Sequence, residues 1–167
     1  VISNTGNISM TNIIVYDILP HLGDQGVIVT TTRDSQWQPN LVGAIDASQV
    51  PVGTIIHYST ATTPCRFEVV PSGPVGCISN SFTSTLPADP TSERSLRFDL
   101  GSYRLAPGAA VTLTWPMRAP VGAPLGVVAW NSFGYVGTRT DTTLPLLPSE
   151  PIKVGILVTR TAQTANL

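Results

Sequence analysis

A chain of 167 residues can bury a hydrophobic core without help from metals, and it fits one large β domain or one domain with long loops. Only 11% of its residues are charged, against roughly 25% in an average soluble domain, and the formal net charge is −1. That balance excludes the basic footprint of a nucleic-acid binder, and no apolar run reaches the ~18 residues that span a bilayer, so neither nucleic acid nor membrane insertion is expected.

Helix signals are nearly absent, because fifteen prolines and fourteen glycines leave few gaps that could hold one. Strands are predicted instead, from short β-branched blocks and alternating runs. The first covers residues 13–16, the second 26–30 and the third 54–58. The run 95–100 alternates cleanly, with Leu96, Phe98 and Leu100 on one face and Arg97 and Asp99 on the other. Residues 111–115 alternate too, placing Val111, Leu113 and Trp115 together. The nearly all-apolar stretch 125–130 is expected to be central, and 152–159 is the last strand. Strands at this spacing predict an all-β β-sandwich that takes up residues 1–167 as one domain, with the 60–94 stretch as an insertion.

The stretch 60–94 is too long for an ordinary connection and carries Pro64, Pro71, Pro74, Pro87 and Pro90. It reads as an ordered insertion pinned by a disulfide between Cys65 and Cys77, which are the two cysteines of the chain. Such a bond stabilises by roughly 3 kcal/mol in the chain-entropy view and belongs to an oxidising compartment. The polar surface is supplied by hydroxyls, in runs at 30–32, 59–63 and 138–143. Together these lead to the expectation of an extracellular chain, secreted or at a cell surface. The abrupt start, Val1-Ile2-Ser3-Asn4, reads as the end of a strand in a piece of a longer chain, and a neighbouring chain could supply the missing edge.

The residues offer little chemistry. His21 and His57 have no nucleophile elbow near them in sequence, so both are read as structural or surface residues and no enzyme is expected. Thiolate metal sites need more cysteines than two. Asp24, Asp34, Asp46 and Asp141 fall in predicted loops and could hold calcium, though without the dense spacing of a dedicated site. Lys153 is the one lysine and sits in an apolar strand. Desolvation there would favour a neutral, nucleophilic amine, which makes an isopeptide bond to Asn131 a candidate, with Asp17 or Asp99 as the assisting acid. The alternative is a lysine that snorkels to the surface. Trp115 and Trp130 are expected in the core. Trp37, between two glutamines in a loop, is the candidate ligand contact.

Asn4-Thr5-Gly6-Asn7, followed by the strand that ends Asp17-Ile18-Leu19-Pro20, resembles a repeat family of bacterial surface proteins marked by Asn-Thr-Gly and Asp-x-Leu-Pro. Arg94-Ser95-Leu96-Arg97-Phe98-Asp99, Ala129-Trp130-Asn131-Ser132-Phe133 and Pro148-Ser149-Glu150-Pro151 are similar to modules of actinobacterial surface proteins. The resemblance implies an immunoglobulin-like domain of unknown function in a large secreted or wall-anchored chain, packed against neighbouring modules. In the opening, Gly6 is expected at positive φ in a hairpin turn, Asp17 to cap its strand and Pro20 to end it. The expected role is a stalk or adhesive display domain. The alternative is a carbohydrate- or protein-binding module that meets a host or surface ligand through the 60–94 insertion and the Trp37 loop.

Overall fold

The computed structural model describes residues 1–158. Its strands are β1 (Ile2–Ser3), β2 (Met10–Ile18), β3 (Asn40–Leu41), β4 (Ile55–Ser59), β5 (Ser95–Asp99), β6 (Ala110–Val111), β7 (Met117–Arg118), β8 (Val128–Asn131), β9 (Phe133–Arg139) and β10 (Val154–Leu157). Two single-turn 3-10 helices, Ala47–Gln49 and Pro90–Ser92, are the only helical pieces among the described residues. The protein is all-β.

One antiparallel sheet, in the order β4-β5-β2-β9, organises the rest. Its pleat explains both cores. Val15 lies opposite Phe98 and Tyr135, and Phe98 opposite Ile56, so these side chains share one face. The short ribbons β1–β6 and β3–β7 lie over that face, contributing Ile2, Val111, Leu41 and Met117 to a cluster with Leu96, Phe98 and Leu105. Ile14, Tyr16, Ile18 and Val136 point the other way. They are covered by Val27 from the loop after β2, and by Val69, Val70 and Phe82 from the 60–94 insertion. The insertion is therefore a lid on the second face of the sheet. Cys65 and Cys77 are bonded inside it, with Cα atoms 4.9 Å apart.

The clean alternation expected at 95–100 is observed: Leu96, Phe98 and Leu100 are buried, while Arg97 and Asp99 are half-buried. Several other expectations are corrected. Residues 26–30 form no strand, because their backbone groups bond to side chains, as described below. Of 111–115 only Val111 pairs, although Leu113 and Trp115 still pack on the core. The stretch 125–130 is peripheral, since β8 pairs only with β10 and its other edge meets the Gln36 backbone. Gly6 is not at positive φ; the turn is built by buried Asn4, whose amide donates to Ile8 O and Leu105 O and whose Oδ1 accepts from Gly6 N. The left-handed residue is Asn12, at φ 49°, where β2 bulges against β9. The chain position 159, expected in the last strand, lies outside the described residues.

Candidate functional site

Two places concentrate polar side chains. The first is a partly buried network that fastens β10 and the segment before it to the body. The backbone of residues 26–29 is held from both sides there. Its N–H groups face the carboxylate of Glu150: Val27 donates at 2.9 Å, Ile28 at 2.7 Å and Val29 at 2.8 Å. Ser132 Oγ donates to the same carboxylate at 2.5 Å. Its carbonyls face Arg66, which is fully buried and donates to Val27 O, to Gly26 O at 3.2 Å and to Pro64 O at 3.0 Å. Gly26 is required at this spot, since a Cβ would stand 2.5 Å from the Glu150 carboxylate. This is the reason an apolar, β-branched run does not become a strand: its hydrogen-bonding capacity is satisfied by two side chains far along the chain.

Arg33 joins the next part of the network. It is buried, pairs with Asp24 at 2.8 Å and donates to Ile18 O at 2.6 Å. Its other nitrogen reaches Asn131 Oδ1 and Ser132, each at 3.4 Å. Asn131 in turn donates to Asp17 at 2.9 Å. Burial raises the Asp17 carboxyl to about 6, against the opposing pull of Asn131 and Arg33. Asp17 therefore does not cap its strand; it is a core acid bonded across β2 and β8.

The four residues proposed for an isopeptide bond separate. Asn131 and Asp17 do meet. Asp99 lies on the opposite face of the sheet, bonded to Gly101 N and Arg97. Lys153 precedes Val154, the register partner of Asn131, so strand alternation sends its side chain to the face of Trp130 and away from Asn131. Its Nζ donates to Arg33 O at 2.6 Å and sits 4.8 Å from the centre of the Trp130 ring. The amine is a clasp on the Arg33 loop. It is not aimed at the amide carbon of Asn131.

Trp37 is corrected as well. It is only 5% exposed, because Ser35 and Gln36 on its N-terminal side bond to the backbone of β8 and draw the loop inward. Trp115 and Trp130 are half-buried, the former stacked on Phe98 with ring centres 5.2 Å apart. The four loop aspartates are dispersed: Asp24 on Arg33, Asp34 on Thr32, Asp46 on Ser48 N and Asp141 on Arg139. No group of three or more metal-type ligands occurs among the described residues. Nor is any helix among them long and apolar enough to cross a membrane.

The second place is a groove of about 240 Å³ where the insertion meets the outer face of the sheet. Its floor is Tyr16 and Arg97, adjacent on β2 and β5, with the guanidinium 5.8 Å above the ring. Glu68 ties them together, accepting from Tyr16 Oη at 2.6 Å and from Arg97 at 3.1 Å. Burial and the Glu68 carboxylate push the Tyr16 phenol above its usual range. His57 on β4 lines the same groove, its imidazole lowered by burial and by Arg97. Phe67, 54% exposed, stands at the rim over Gly73, whose φ of 68° and missing Cβ leave room for the ring.

Glu150, Arg66 and Glu68 were not legible as site residues in the sequence. Arg66, Phe67 and Glu68 directly follow Cys65, and that adjacency to a fixed point was the available signal. Comparison with protein families, curated proteins and solved structures finds no match for the chain.

Proposed function

We propose that the chain is an extracellular structural module of a bacterial surface protein, immunoglobulin-like in its layering, that holds or displays its neighbours. The observation that carries this reading is the last strand. β10 is exposed on both faces, with Val154, Ile156 and Leu157 open to solvent, as is Ile152 just before it. Burial alone would not hold it. Beside its antiparallel pairing with β8, it is fastened by the Glu150 carboxylate and the Lys153 amine, two polar clasps reaching from the chain on its N-terminal side into the body. A strand that is clasped to the body yet presents apolar side chains on either side suits a junction with a following module. The disulfide, the hydroxyl-rich surface and the Asn-Thr-Gly and Asp-x-Leu-Pro resemblance all favour the same setting.

Intact mass, measured on natively produced protein with and without reductant, tests the compartment. Reduction is expected to add about 2 Da, the two hydrogens of an opened Cys65–Cys77 bond. A mass that does not change would mean free thiols and a reducing compartment, against the proposal. The Lys153 geometry further predicts no deficit of about 17 Da from lost ammonia, so a deficit surviving reduction would contradict the clasp.

A further inference from the structure

We propose that the groove between the insertion and the sheet binds one ring of a neutral saccharide, with the C–H face of the sugar on Phe67 and its hydroxyls on Glu68, Arg97 and Asn80. The size fits. At about 240 Å³ the groove falls below the roughly 300–1,000 Å³ of sites for drug-sized ligands, and a single ring is the matching unit.

The chemistry fits as well. A pyranose needs an apolar platform together with donors and acceptors fixed in place. Phe67 supplies a half-exposed ring at the rim. Glu68 accepts and Arg97 donates, side by side and locked by their mutual bond at 3.1 Å, an arrangement that matches two neighbouring hydroxyls. Asn80 adds an amide that can do both, from an exposed left-handed turn at φ 54°. The parts are also pre-set. Phe67 and Glu68 follow Cys65, which is bonded to Cys77, and Arg66, which makes three backbone bonds. Little ordering is left to oppose binding.

Charge selects the class of sugar. Arg97 is answered by two carboxylates, Glu68 at 3.1 Å and Asp99 at 3.4 Å. No uncompensated cation is therefore left in the groove to hold a sialylated, uronic or phosphorylated sugar, and the Glu68 carboxylate in its lining repels one.

The test is a calorimetric or NMR titration of the intact protein with four probes: maltotriose, chitotriose, mannotriose and the anionic 3′-sialyllactose. At least one neutral trisaccharide is expected to bind with Kd on the order of millimolar. Phe67→Ala and Asn80→Gly should each weaken that binding about tenfold, consistent with the loss of one ring contact or one hydrogen-bonding amide. Glycine suits the left-handed backbone at position 80, so that variant should melt like the parent. Binding to none of the probes, binding of sialyllactose alone, or binding that neither substitution weakens would overturn the proposal. None of these outcomes depends on whether the chain serves as a stalk.

Discussion

Replacing Glu150 by alanine should lower the stability of the protein by about 3–5 kcal/mol, read from urea unfolding followed by tryptophan fluorescence. Three backbone N–H groups and the Ser132 hydroxyl lose a charged acceptor at once. Hydrogen bonds to charged groups contribute about 1.5–3 kcal/mol each, but water can reach the vacated end near exposed Val29, so the sum is discounted. Glu150→Gln keeps one acceptor oxygen and turns an NH2 toward donors, so it should fall between alanine and the parent. Asp141→Asn is the control. Its partner Arg139 is as exposed as it is, at 40% each, and no measurable change is expected. A Glu150→Ala protein as stable as the parent would mean that residues 26–29 hold their shape without the carboxylate.

The second large effect is on pH. Asp17 and Glu93 are both buried, and each has one oxygen without a partner, Oδ1 and Oε2 respectively. Burial raises Asp17 from 3.8 to about 6. Burial likewise raises Glu93 from 4.5 to about 7, although the Ser59 N–H and Arg94 pull the other way. A raised carboxyl means that the folded protein holds protons the unfolded chain has already released. Stability is therefore highest below about pH 4 for these two groups and falls as pH rises through 6 and 7. Each shift corresponds to roughly 3 kcal/mol when complete. The melting temperature should be clearly higher at pH 5 than at pH 8. Asp17→Asn and Glu93→Gln should each remove part of that slope. A profile that is flat, or that rises from pH 5 to pH 8, would contradict the burial of charged carboxylates at these positions.

How much of this could be read from the chain depended on how local the cause was. The 95–100 strand was legible because alternation is a local property: Leu96 and Phe98 face the core whatever their partners are. The 13–16 strand was legible for its apolar block, although it extends over Met10–Ile18. The disulfide was legible because two cysteines leave one pairing. The 26–30 run failed because its partners are Glu150 and Arg66, about 120 and 40 residues away, and no pattern in Val27-Ile28-Val29 announces them. Trp37 failed for a related reason, since Ser35 and Gln36 bind an edge of β8 that the local sequence cannot foresee. Lys153 reaches into the body at Arg33 O, and Asp17 and Asn131 do meet. The register of β10 on β8 then places the amine on the other face, which a one-residue difference would have reversed.

The most direct test of the proposed structural role is to pull the molecule through its two ends in a single-molecule force experiment. Forced unfolding reports the barrier to leaving the native state, so it reads the clasps themselves and not the total stability alone. The structure places Glu150 and Lys153 between the body and the last strand, directly on the path of the load. The parent protein should yield in a distinct high-force step, and Glu150→Ala should shift that step to clearly lower force at the same loading rate. A parent that extends without a distinct step, or a Glu150→Ala protein that yields at the parental force, would contradict a force-resisting module whose last strand is clasped to its body.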